Sequence, residues 1–190
     1  MGSLLKVDPM KVLLFFLAAL FTLNAFADSP DFSRRFGVSL AGGYDIPLYH
    51  TKFDKRADGE FVSGIYGRYQ FSRDSGIQFG YTRFEWSDSP TAARIYDVVY
   101  MHRMEPRKWF TPIWGAGLGL VDIAHYNIDE DLKLGLKARI GIEYLAGENV
   151  VLDFVVDYQY IGKMPGEEHD LRTGDINALA PQVIASYFFK

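Results

Sequence analysis

The segment from Leu132 to Ile161 constrains the fold more than any other, because apolar residues recur there at every second position across two long arms. In the first arm Leu134, Leu136, Ala138, Ile140, Ile142 and Tyr144 alternate with Gly135, Lys137, Arg139, Gly141 and Glu143. After Ala146-Gly147-Glu148-Asn149, the second arm alternates Leu152, Phe154, Val156, Tyr158 and Tyr160 with Asp153, Val155, Asp157 and Gln159. A period of two is that of a strand, so the pair reads as a β-hairpin with one uncharged face and one polar face. A half-buried sheet in water alternates in the same way. Length separates the two cases, since each arm holds its pattern for about 9–11 residues, enough for a tilted strand to cross a bilayer, against about 5–6 in an ordinary strand. Tyr144, Tyr158 and Tyr160 stand near the ends of the uncharged faces, where amphipathic rings meet lipid headgroups.

The same alternation runs through the rest of the chain. Phe36, Val38, Leu40 and Tyr44 oppose Gly37, Ser39, Ala41 and Gly43, and Ile65, Gly67, Tyr69 and Phe71 oppose Tyr66, Arg68 and Gln70. Ile77, Phe79 and Tyr81 oppose Gln78, Gly80 and Thr82, after which Phe84 and Trp86 carry the aromatics on even positions. That change predicts a bulge near Thr82–Arg83, or a strand leaving the bilayer. Further strands hold Tyr96, Val98 and Tyr100 against Asp97, Val99, Met101 and Arg103, and Trp114, Ala116, Leu118 and Leu120 against Gly115, Gly117 and Gly119. The last, 176–189, sets Leu179, Val183, Ala185, Tyr187 and Phe189 on one face. Eight strands result. Turns of four or five residues alternate with longer polar connections at 45–60, 87–92, 124–131 and 162–175, the asymmetry of an outer-membrane barrel.

The N-terminus has the parts of an export signal: Lys11, the apolar run Val12–Leu23, and Ala25-Phe26-Ala27 as a small-x-small cleavage site. Residues 1–27 are therefore expected to be a cleavable signal peptide, with Met10 an alternative start, and 28–190 the barrel domain. Removing Lys6, Asp8 and Lys11 takes the formal charge from −4 to −5. No basic stripe with interleaved aromatics is present, which argues against a nucleic-acid partner. With no cysteine, disulfides, thiol nucleophiles and thiolate metal sites are excluded, and nothing in the pattern calls for a cofactor.

The segments Ile113-Trp114-Gly115-Ala116-Gly117-Leu118-Gly119-Leu120, Gly141-Ile142-Glu143-Tyr144, Asp153 to Tyr160 and Ala185-Ser186-Tyr187-Phe188-Phe189 resemble the eight-stranded outer-membrane barrels of the OmpA transmembrane-domain and OmpX type. The resemblance implies an all-β, antiparallel, up-and-down transmembrane barrel in the outer membrane of a Gram-negative envelope, inserted by the barrel-assembly machinery, surrounded by lipids including lipopolysaccharide, and monomeric. Val183, Ala185, Tyr187 and Phe189 are similar to that family's C-terminal assembly signal, with Lys190 added after it. The peptidoglycan-binding domain of full-length OmpA proteins is expected to be absent.

By parity, Arg68, Asp97, Arg103, Lys137, Arg139, Glu143, Asp153 and Asp157 face inward, four basic and four acidic groups. Side chains can fill a barrel of eight strands, so these groups are expected to pair across the lumen, with Asp157 opposite Arg139 or Lys137. The role this suggests is envelope integrity or surface interaction through the outer loops, without catalysis. The first alternative is an enzyme that modifies lipid A, as barrels resembling this one do with a rim histidine. His50, His125 and His169 are candidates by position, His102 lies toward the other end, and none has the His-x-Ser spacing of the deacylases. The second alternative is a narrow pore. The carboxylate runs Asp129-Glu130-Asp131 and Glu167-Glu168 with Asp170 lack the ligand order of a calcium loop and read as solvated loop tips.

Overall fold

A computed structural model describes residues 31–48, 61–85, 92–104, 110–125, 128–163 and 175–190. The elements in chain order are β1 (Arg35–Tyr44), β2 (Ile46–Leu48), β3 (Phe61–Gln70), β4 (Ser75–Glu85), β5 (Ala92–Arg103), β6 (Phe110–His125), β7 (Ile128–Leu145), β8 (Val150–Lys163) and β9 (Asp175–Phe188). From β3 to β9, each strand pairs antiparallel with the next, and β3 pairs with β1. β9 returns to β1 through the register Gly37↔Phe188 to Gly43↔Gln182, and continues onto β2 at Ile46↔Leu179. β1 and β2 are thus one stave interrupted at Asp45, and the nine elements form a closed barrel of eight staves. Closure gives every described stave a hydrogen-bonded neighbour on both sides.

Alternation fixes which side of each stave faces the lumen. Leu40, Ile65, Leu118, Leu134 and Ile140 are more than half exposed on the outside, while Ser39, Arg68, Gln78, Asp97 and Arg139 are buried inside. An apolar exterior on every stave far exceeds the few hundred Å² that a soluble monomer leaves open, and suits hydrocarbon as its solvent. Interior glycines set the bore: a Cβ at Gly80 would strike the Tyr66 ring, and one at Gly117 would strike Val99. On the outside, Phe79 lies over its cross-strand partner Gly67 and fills the space above it.

Aromatic rings gather at both ends of the apolar belt. At the end carrying both described termini and the short turns, Phe71 stands 6.3 Å from Tyr100, Tyr100 5.9 Å from Trp114, and Phe36 6.3 Å from Phe189. At the far end Tyr44 pairs with Phe61, and Tyr81 with Tyr96 at 5.3 Å. Between these girdles the outward side chains are aliphatic or aromatic, the composition of a bilayer-facing band.

Three sequence expectations are corrected. No bulge occurs near Thr82–Arg83: β4 keeps register with β5 from Ser75↔His102 to Glu85↔Ala92, and Phe84 is a fully buried lumen residue. Its parity with Gln78 and Thr82 outweighs its hydrophobicity. Residues 45–60 do not begin as a loop, because Ile46, Pro47 and Leu48 extend the first stave along β9. The acidic stretch 124–131 belongs largely to strands, with His125 paired to Ile128 at the end of the long β6–β7 hairpin. Before β1, Phe32 is buried under the barrel. The 1–27 leader, Trp86, His50, His169, Glu167, Glu168 and Asp170 lie outside the described residues.

Candidate functional site

The lumen is a stack of layers, each traceable to positions two residues apart along the strands. At the termini end Phe32 closes the mouth: its ring stacks on Phe188 at 4.6 Å and packs with Val151 and Leu145. A tight turn delivers it, with the Arg35 N–H donating to Phe32 O at 3.1 Å and Arg34 at φ 63°. Left-handed backbone at a side chain other than glycine is strained. The Ser33 hydroxyl and N–H both donate to Asp31 Oδ1, and these bonds, the hydroxyl first, hold the Asp31 carboxyl below its ordinary range.

Above Phe32 lies the first ion layer. Arg103 grips Glu143 with two bonds of 2.8 and 2.7 Å, and Arg68 bridges Glu143 at 2.7 Å and Asp153 at 2.6 Å. The guanidinium of Arg68 also lies 5.4 Å from the Phe188 ring, and that of Arg103 5.9 Å from the Phe32 ring. One step further along the strands the lining turns apolar: Gly141 separates Glu143 from Arg139, and Val155 separates Asp153 from Asp157. Here Tyr66, Val99, Met101, Ile113, Val155 and Ile184 form one buried cluster.

The second ion layer centres on Asp157. Arg139, directly opposite in register, holds both its oxygens at 2.5 and 2.7 Å, and Gln182 donates to it at 3.3 Å. Lys137 pairs with Asp97 and stands 3.7 Å from Asp157. Gln78 accepts from Arg139 at 2.6 Å, and Tyr66 shares a 2.6 Å bond with Thr82. Beyond this layer Val62, Phe84, Ala93, Ile95, Val121 and Ala178 are buried toward the far end.

All eight charged residues expected in the lumen therefore sit inside, in two clusters of two cations and two anions each. Opposite charges held at hydrogen-bond distance in a medium of low dielectric interact strongly, and removing one partner leaves the other stranded. Gln78, Gln182 and the Tyr66–Thr82 pair complete the second cluster. Strand parity alone points each of them inward, but polar neutral residues draw less notice than charges. Phe32 carried no periodic signal at all.

The other sequence candidates lie elsewhere. His102 is at the termini end, its Nδ1 3.2 Å from Ser75 Oγ and its ring beside Trp114 at 5.5 Å, an interfacial aromatic contact. The backbone of His125 ends β6, far from His102. Val183, Ala185 and Tyr187 face outward on β9, and Phe189 follows the strand with its N–H bonded to Phe36 O at 2.8 Å. Among the described residues no group of three or more His, Asp or Glu side chains is arranged to hold a metal ion.

No protein-family model matches the chain, and no curated protein sequence matches it. Solved structures do share its fold. Neisserial surface protein A superposes with a TM-score of 0.67 at 18% identity, covering 81% of this chain and 97% of that one. The N-terminal β-barrel domain of Pseudomonas aeruginosa OprF gives 0.59 at 15% identity over 83% of this chain and 98% of that one. The outer membrane protein AlkL, determined in lipid bilayers, gives 0.56 at 13% identity over 87% and 94%. At these identities the likeness is one of fold: a closed, eight-stranded, all-β barrel of the kind found in bacterial outer membranes.

Proposed function

We propose that this protein is an integral outer-membrane barrel with a closed lumen, whose work is done by its outer surface and loops and not by transport or catalysis. The observation that carries the reading is the layered interior. Two ion clusters alternate with apolar side chains, and Phe32 caps one mouth. A conducting path needs polar groups or water in continuous succession, whereas each charge here is bound to an opposite charge. The apolar belt between aromatic girdles supports the membrane placement, and the shared fold supports the outer membrane in particular. Insertion by the barrel-assembly machinery, using the outward row Val183, Ala185, Tyr187 and Phe189, follows from that placement. A monomer in contact with lipids including lipopolysaccharide fits a closed barrel whose described staves have a neighbour on both sides.

Nucleophilic catalysis needs a base in hydrogen-bond reach of an activated hydroxyl. The one described histidine side chain that contacts a serine, His102, does so at the termini end, where outer-leaflet lipid A would be out of reach. The test compares envelopes from cells with and without the protein. The expected result is an unchanged lipid A acyl pattern by mass spectrometry together with greater sensitivity to detergent when the protein is missing. An altered acyl pattern would overturn the non-catalytic reading.

A further inference from the structure

The seam between the first stave and the last keeps one register throughout, from Gly37↔Phe188 through Gly43↔Gln182 to Ile46↔Leu179 and Leu48↔Asn177. The ladder stops at Gly43 and resumes at Ile46, and one residue is the cause. In that register Pro181 stands opposite Tyr44. Backbone groups along an antiparallel strand point alternately to its two neighbours. At the end of β9 the Phe188 N–H donates to Asn149 O beside β8, and the Phe189 N–H donates to Phe36 O on β1 at 2.8 Å, so odd positions face the first stave. Pro181 is odd and has no N–H, and it therefore offers Tyr44 C=O no donor.

Beyond this point β2 is short and lightly held. Among the described residues it pairs with β9 alone. By the same alternation Ile46 and Leu48 make its bonds to β9, while Pro47, facing away, has no N–H to give another neighbour. Ile46 is 44% exposed, so little buried apolar surface holds the strand down. Asp45 is fully buried and has partners of its own, and behind it Ala41 and Gly43 are paired to both β3 and β9.

We propose that β2 is a strap that lifts from β9 as a unit, hinged at Asp45, while the barrel behind the hinge stays closed. The proposal deepens the reading of a protein that works through its outer surface, and rests on it. Strands open locally in cooperative units, and a missing ladder bond marks the border of one. Release uncovers the ladder groups of Leu179 and Asn177 at the far rim, so the strap decides when that stretch of edge is open.

Amide exchange followed by NMR, with the protein in phosphatidylcholine nanodiscs, tests the strap. The amides of Ile46, Leu48, Asn177 and Leu179 are expected to exchange together, about tenfold or more faster than those of Gly42 and Val183 behind the hinge. Pro181→Ala supplies the missing donor. It is expected to slow the four strap amides about fivefold, the scale of one net hydrogen bond, and to leave Gly42 and Val183 unchanged. Strap amides as protected as Gly42, or unchanged by Pro181→Ala, would overturn the proposal. Equal slowing at Gly42 and Val183 would do the same, since it would mark a general gain in stability. In this cysteine-free chain, Ile46→Cys/Leu179→Cys staples the strap on oxidation. Leu48 and Asn177 are expected to lose their fast exchange when oxidised and regain it when reduced, and exchange that ignores the staple would also overturn the proposal. Each sample is run on a gel with and without boiling. A heat-shifted band with a uniformly protected seam contradicts the strap alone; absence of the folded band in the wild type overturns the outer-membrane reading, and the proposal with it.

Discussion

Residue by residue, the interior is decided by what each charge would lose without its partner. Arg139 and Asp157 are both fully buried and joined by two hydrogen bonds. Arg139→Ala or Asp157→Ala strands one charge, and each is expected to lower unfolding free energy in urea by about 3–5 kcal/mol. The double variant Arg139→Met/Asp157→Leu removes both charges while keeping volume, so it is expected to recover most of that loss. Additive losses in the double variant would mean that the pair is not coupled as its geometry requires. Space matters as much as charge. A Cβ at Gly80 meets both the Tyr66 side chain and the backbone of Ile65 and Tyr66, so Gly80→Ala is expected to cost about 1–3 kcal/mol in the same assay.

Among the elements, the staves and the lead before them differ in how plainly the sequence announces them. The staves were legible because period two persists for their whole length and a slip of one residue would bury leucines and expose arginines. For a residue such as Ile140, near the middle of the belt and two-thirds exposed, the consequence is measurable. Ile140→Arg is expected to cost about 2–4 kcal/mol, and Leu132→Arg, in the same cross-strand row as Arg94 and Asp122, about 0–1 kcal/mol, by reversible unfolding in vesicles. Equal costs at the two depths would contradict the placement of the belt. The side that Phe84 faces is ambiguous in the sequence because an aromatic residue at a strand end satisfies either face, and the unbroken pairing with β5 decides it. Phe32 was invisible for a different reason: a single apolar residue in a turn has no period, and its burial depends on Phe188 from the far end of the chain. The Arg34 backbone records what that docking costs. Arg34→Gly is expected to stabilise the folded state by up to about 1 kcal/mol, since glycine adopts φ 63° freely, less what it gains in the unfolded chain. Phe32→Ala is expected to lose about 1.5–3 kcal/mol, the worth of one buried phenyl ring.

For the molecule as a whole, closure of the sheet and filling of its bore are one design. Eight staves leave a bore that side chains can span, and glycine stands beside several of the long ones: Gly37 opposite Arg68, Gly115 opposite Arg139 and Gly117 opposite Lys137. Parity told which charges face inward, but not that they would divide into two clusters separated by Tyr66, Val99 and Val155. That division depends on tilt and register, which couple strands distant in sequence such as Arg68 on β3 and Asp153 on β8. A barrel that spans the bilayer with its lumen closed passes no ions, and single-channel recording of the purified, heat-shift-verified protein in planar bilayers puts this to the test. The wild type is expected to give a flat baseline. Reproducible, voltage-dependent steps that persist when traces of other porins are excluded would contradict it.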